Sequence, residues 1–287
     1  MNNPLSFSPN LWSDLHAMLA YSFMQHAFEA GTMVGIVAGV VGYFVVLRRL
    51  SFAAHALSHI GFAGAAGAVL LNLNPLVGLL VFTSGGGLGM AALSRRSMNS
   101  DTQIGTVLAF MLGLGVLFIS LYKGYATQAY SLLFGEILGI SSGDVWATLI
   151  AAVVTLVIMA VLYRRLLFSS LDADVAQAKG VPVALLQTIF LLMIALATAI
   201  SVQVVGVLLI FALMVTPAAT AQCIARKPLQ GIAITVGVAL FVTWLGLFIS
   251  FYVSYPVSFF ITTAAFLIYL IARVFRQRPA RQLVATE

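Results

Sequence analysis

Charge is what this chain has least of. Only 8% of its 287 residues are Asp, Glu, Lys or Arg, against 62% hydrophobic, and mean hydropathy is +1.08. About a quarter of a soluble domain is charged, so a soluble globular fold is excluded. No polar stretch is long enough for a second domain, and residues 1–287 read as one membrane domain. The single cysteine, Cys223, excludes an internal disulfide and a cysteine zinc cluster. No Gly-x-x-x-x-Gly-Lys-[Ser/Thr] phosphate loop occurs, so ATP is not held in that way. A His-Glu-x-x-His protease motif is absent, and Ser84-Gly-Gly-Gly87 lacks the setting of a nucleophile elbow. Intramembrane hydrolysis is therefore unsupported. The pI is near 9.7, but the basic residues sit in short pairs at the ends of apolar runs. That pattern belongs to membrane topology, and no nucleic-acid partner is expected.

What is present is apolar length. About 20 apolar residues cross a bilayer as a helix. Nine runs qualify, roughly 20–47, 53–72, 75–94, 103–121, 145–163, 184–203, 205–224, 229–250 and 256–273. The expected class is an all-α polytopic membrane protein of about nine spans, with eight to ten as the range. Arg48/Arg49, Arg95/Arg96, Arg164/Arg165, Lys179, Arg226/Lys227, Arg273, Arg276, Arg278 and Arg281 all fall on one side. Only Lys123 lies opposite, and such a bias marks the cytoplasmic face. The N-terminus, with residues 1–19 as an outer segment, is then outside and the 274–287 tail cytoplasmic. Met1 to Asp14 has no basic region before an apolar run, so no cleavable signal peptide is expected. Tyr125–Ser142 is apolar but too short for a span, and reads as a re-entrant or outward-facing helix. Gly31, Gly35 and Gly39, then Gly61, Gly64 and Gly67, punctuate the first two spans. Small residues so spaced let membrane helices approach closely. Pro217 should kink its helix, with Thr216 or Thr220 satisfying the freed backbone.

His55 and His59 stand four residues apart in Ser51-Phe-Ala-Ala-His-Ala-Leu-Ser-His-Ile-Gly-Phe62. In a helix such residues share a face, with Cβ atoms about 6 Å apart, so two imidazoles can share one metal ion. Ionisable side chains in a membrane usually face the bundle interior or a cavity. The alternative is that each ring bonds a neighbouring carbonyl as a packing element. A twofold dimer would bring four imidazoles to one axis, a set that suits tetrahedral zinc. Glu29 and Glu136 are acids near membrane depth that would attract a cation at the outer mouth, though Glu29 also reads as a headgroup contact. Asp14, His16 and His26 lie near the same face and read as interfacial residues. Ser170 or Asp172 can cap a short helix that Gly180 ends. Its alanine face would dock on a soluble partner or simply connect two spans.

Several stretches then resemble one family. They are Gly42-Tyr-Phe-Val-Val-Leu-Arg-Arg-Leu-Ser-Phe52 with His55-Ala-Leu-Ser-His59, Asp101-Thr-Gln-Ile-Gly105, and Leu132-Leu-Phe-Gly-Glu-Ile-Leu138. Asp172…Gly180-Val-Pro182 and Gly206-Val-Leu-Leu-Ile-Phe-Ala-Leu-Met-Val-Thr-Pro-Ala-Ala-Thr-Ala221 complete the set. Over about residues 20–275 the chain resembles the permease subunits of bacterial ATP-binding-cassette importers for zinc, manganese and iron. The resemblance implies the vitamin-B12-importer (type II) permease fold and a permease homodimer in the bacterial inner membrane. It also implies a separate cytoplasmic ATPase and an extracytoplasmic metal-binding protein. Residues 169–183 then look like the coupling helix, with Asp172, Asp174, Ala176, Gly180 and Pro182 meeting the ATPase. Family members commonly carry Asp-Ala-[Leu/Ile]-Ser-His in the second span; here the histidine matches His59, and His55 replaces the acid. That exchange favours zinc over manganese or iron as the transported ion. An ATP-independent secondary transporter or channel for divalent metal is the alternative.

Overall fold

The computed structural model describes residues 18–94, 100–122, 133, 135, 137–253 and 255–276. Its helices are α1 (Ser22–Leu47), α2 (Ser51–Leu70), α3 (Pro75–Ser94), α4 (Ser100–Leu121) and α5 (Ser142–Leu171). There follow the short α6 (Ala173–Ala178), then α7 (Val183–Val205), α8 (Val207–Ile224), α9 (Pro228–Tyr252) and α10 (Val257–Arg276). Among the described residues, all but α6 are long and apolar enough to cross a membrane, which makes nine. They follow the nine apolar runs of the sequence, and no strand occurs among the described residues.

Helix direction alternates, so the ends of the bundle differ. Arg48 at the end of α1 bonds Ser169 near the end of α5, and Gly105 of α4 lies beside Phe52 of α2. These ends form the basic face. At the far face, Asp144 of α5 accepts from Gln203 of α7 at 2.8 Å. α4 therefore ends and α5 begins on the far face, and of the segment that joins them the structure describes residues 133, 135 and 137–141. Its Ile137 is buried and lies next to Gly31 of α1. Gly135 abuts the Val205–Gly206 peptide.

α1 and α2 are the central helices. The first packs on α5, α7, α8 and α9, the second on α3, α4, α7 and α8. Phe44, Leu57, Ile60, Phe190, Ile194, Leu209 and Ile210 fill the space between them. A lipid-embedded backbone must satisfy its polar groups internally, and several buried hydroxyls follow the same rule, Thr155 and Thr198 excepted. Ser58 donates to the Ala54 carbonyl, Thr83 to Leu79, Thr235 to Gly231 and Thr243 to Ala239. Each is the carbonyl four residues back, which hides the hydroxyl in its own helix.

Two glycines permit geometry that other residues would block. Gly206, at φ 82°, is the whole connection between α7 and α8, a left-handed position that glycine adopts without steric cost. Gly42 lies so close to the Met214 carbonyl of α8 that any Cβ would collide with it. One expectation changes at Pro217. Thr220 donates to the Thr216 carbonyl at 2.9 Å, whereas the carbonyl that proline frees is that of Leu213, four residues before it. α5 also runs past Arg164/Arg165 to Leu171, because Leu166 on its inner face is fully buried.

The Gly42 contact can be tested by one methyl group. Gly42→Ala should cost about 1–3 kcal/mol of overpacking, read as a lower melting temperature of the purified protein. Gly237→Ala, whose Cβ meets open space, should melt no lower than the wild type. Equal melting of Gly42→Ala and wild type would show that the α1–α8 contact is looser than described.

Candidate metal site

Helix α2 starts at Ser51, so His59 stands about 12 Å along its axis from the basic face. The His55 and His59 rings lie edge to face, with centroids 4.6 Å apart and planes at 82°. Both side chains are half-buried. The Nδ1 atom of each is buried and has no hydrogen-bond partner among the described residues. The reading in which each ring bonds a neighbouring carbonyl through Nδ1 thus finds no support. The nearby hydroxyl, Ser58, turns to Ala54 and serves neither ring.

Phe211 of α8 is a neighbour that sequence reasoning missed. Its ring centroid is 4.7 Å from that of His55, at 62°, so His55 is held between an aromatic wall and the second imidazole. The residue lies inside the Gly206–Ala221 stretch, but nothing in its spacing marks it. Only the packing of α8 on α2 brings positions 55 and 211 together. Beyond Phe211, α8 presents a half-exposed stripe of Ala212, Val215, Thr216 and Ala219.

Among the described residues no group of three or more His, Cys, Asp or Glu gathers anywhere. The described residues of one chain therefore bring two imidazoles together, half of the four ligands zinc commonly takes. Glu29 is not the missing ligand. It is exposed and stands 18 residues before the end of α1, about 27 Å from the basic face. His26 is half-buried at the same far end. Glu136, Asp14 and His16 lie outside the described residues.

The segment expected to couple to an ATPase is a helix of six residues. Asp172 caps it by accepting from the Val175 N–H at 2.9 Å. Gly180 closes it at φ 80°, where Val181 donates back to the Ala176 carbonyl at 3.0 Å, the bond that ends many helices. Asp172, Asp174, Gly180 and Pro182 are exposed, whereas Ala176 is buried against its own chain. The alanine at 176 therefore faces inward. The outward surface is built instead from Leu171, Asp174 and Val175, which are exposed.

Comparison with known proteins bears on this geometry. Residues 20–276 match the model of the ABC 3 transport family. The manganese transport system membrane protein MntC of Listeria monocytogenes is 32% identical over 262 residues, 91% of this chain and 93% of the relative. The manganese import system permease protein ScaB of Streptococcus parasanguinis is 32% identical over 253 residues, 88% of this chain and 90% of the relative. Among solved structures, PsaBC from Streptococcus pneumoniae in complex with Fab superposes with a TM-score of 0.82. It is 30% identical and covers 92% of this chain and 95% of that one. An inward-facing metal-chelate-type ABC transporter shares the fold, with a TM-score of 0.76 at 14% identity. Spans, glycine contacts and histidine pair thus stand on a known membrane scaffold, and the chain belongs to the ABC 3 transport family as one of its permeases.

Proposed function

We propose that this permease imports a divalent transition metal ion, zinc first, through a path lined by His55 and His59. Family membership sets aside the ATP-independent carrier, and ATP hydrolysis belongs to a separate subunit. The observation that carries the zinc reading is the pair of adjacent imidazoles whose Nδ1 atoms have no partner among the described residues. A buried polar atom left unpaired is costly, and a passing cation would relieve that cost. Imidazole suits zinc, whereas manganese prefers hard oxygen donors. Neutral ligands also compensate the ion's charge weakly, which favours release over retention. Manganese is the second reading, and the names of the relatives favour it.

Two ligands per chain call for a second copy. The half-exposed histidines and the neighbouring α8 stripe form a surface that a twofold partner would cover, bringing four imidazoles to one axis. In this reading the arginine-rich face is cytoplasmic in a bacterial inner membrane. The exposed face of α6 receives the ATPase, and the far face receives an extracytoplasmic metal-binding protein.

Uptake of radioactive zinc into vesicles carrying the permease, its ATPase and the binding protein tests the ligands. His55→Ala and His59→Ala should each fall to near background while the protein stays expressed, and His55→Asp should shift preference toward manganese. Unchanged zinc uptake in His59→Ala would remove that ligand assignment. For the coupling face, Val175→Arg should abolish co-purification of the ATPase without lowering the permease's melting temperature. Normal complex formation by that variant would move the docking surface elsewhere.

A further inference from the structure

Among the described residues, Arg48 is the one half-buried Lys or Arg, and the transport reading does not use its surroundings. It follows the last residue of α1. Its Nη1 donates to Ser169 Oγ at 3.2 Å and Ser170 Oγ at 3.4 Å, both at the end of α5. Its guanidinium also lies over the Phe190 ring of α7, 5.4 Å from the centroid. No carboxylate pairs with it among the described residues. Burial lowers its pKa from the ordinary arginine value, and no described acid offsets that penalty. The two serines have already committed their protons to the Leu166 carbonyl, so they can only accept from Arg48. Nε and Nη2 of the guanidinium remain without a protein acceptor among the described residues.

A second arginine is placed beside it by an unusual turn. Leu50 donates to the Val45 carbonyl at 2.8 Å, and Arg49 to Val46 at 3.1 Å. This is the helix end that normally carries glycine in the left-handed position. Here Arg49 occupies it, at φ 58°. Arg48, Arg49, Ser169, Ser170 and Gln187 line a pocket of about 410 Å³ at the basic face. A concave site with two arginines and no acid among the residues that line it, its serine oxygens accepting from Arg48 and so fixing the guanidinium, is built for an anion.

The depth and the neighbouring surface identify which anion. On α1, Val40, Phe44 and Arg48 are spaced by four and share one face. Val40 and Phe44, with Leu156, Met159 and Tyr163 of α5, line an apolar pocket of about 370 Å³. On α1 its Phe44 stands one helical turn deeper than Arg48. Anionic head over apolar berth is the layout of a phospholipid, and basic pockets between membrane helices bind such headgroups. We propose that the Arg48–Arg49–Ser169–Ser170 pocket binds the phosphate of an anionic phospholipid in the leaflet at the basic face, with an acyl chain along the α1–α5 seam. The site pins the ends of α1 and α5 directly beside α6, so lipid occupancy would stiffen the segment that precedes the ATPase-docking helix.

Native mass spectrometry of the purified full-length permease, titrated with phosphatidylglycerol or phosphatidylcholine, tests this. Wild type should retain phosphatidylglycerol about tenfold more tightly, the worth of a single charge-assisted hydrogen bond. Arg48→Gln should erase the preference, whereas Arg273→Gln, whose side chain instead bonds Tyr269, should keep it. If Arg48→Gln fails to fold, Arg49→Gln and Ser170→Ala carry the test and should each weaken the preference. Equal retention of the two lipids by wild type, or full preference in all the pocket variants, would overturn the proposal. So would equal protection by inorganic phosphate alone, which would mark a free-anion site. Loss of ATPase binding in Arg48→Gln with lipid retention intact would assign the pocket to a carboxylate of that partner instead.

Discussion

The constraint on which this molecule depends is that hydrocarbon offers no hydrogen bonds. Every polar group in the bundle must find its partner within the protein or be held for a ligand. Ser58, Thr83, Thr235 and Thr243 obey by donating to carbonyls of their own helices. The two imidazoles of α2 do not: among the described residues their Nδ1 atoms stay buried and unpaired, as do Gln103 Oε1, Thr155 Oγ1 and Thr198 Oγ1. Of these exceptions, the adjacent imidazoles are the pair whose chemistry suits a transition metal ion.

Close packing makes the exception sustainable. Gly42 against the Met214 carbonyl draws α8 onto the centre of the bundle, and α8 in turn sets Phe211 against His55. At the far face, Gly135 rests on the Val205–Gly206 peptide where α7 becomes α8. The same two helices therefore report to the far-face segment and to the histidine pair. At the basic face, Arg48 ties the ends of α1 and α5 together immediately before the exposed α6. These contacts outline a mechanical route between the proposed ion path and the helix proposed to meet the ATPase.

The spans were legible because hydropathy and paired arginines each mark the same boundaries, and the structure follows them closely. Asp172 and Gly180 were legible for a similar local reason: a cap and a left-handed glycine act within a few residues. Local signals end where tertiary packing begins. Arg164/Arg165 suggested the end of a span, but buried Leu166 carries α5 onward to Leu171. The alanine pattern of α6 could not say which face turns inward, and Ala176 proves to be the buried one. The Phe211–His55 contact joins residues far apart in sequence, and so does the Arg48–Ser169 bond. No spacing rule reaches across such separations.

The central claim is that the two imidazoles are ligands to the transported ion. Zinc-edge X-ray absorption on the zinc-loaded permease–ATPase complex addresses it most directly. The account predicts imidazole nitrogen scatterers at about 2.0–2.1 Å, lost when His55 and His59 are both replaced by alanine. A zinc shell made only of oxygen donors, or one unchanged by that double replacement, would contradict it.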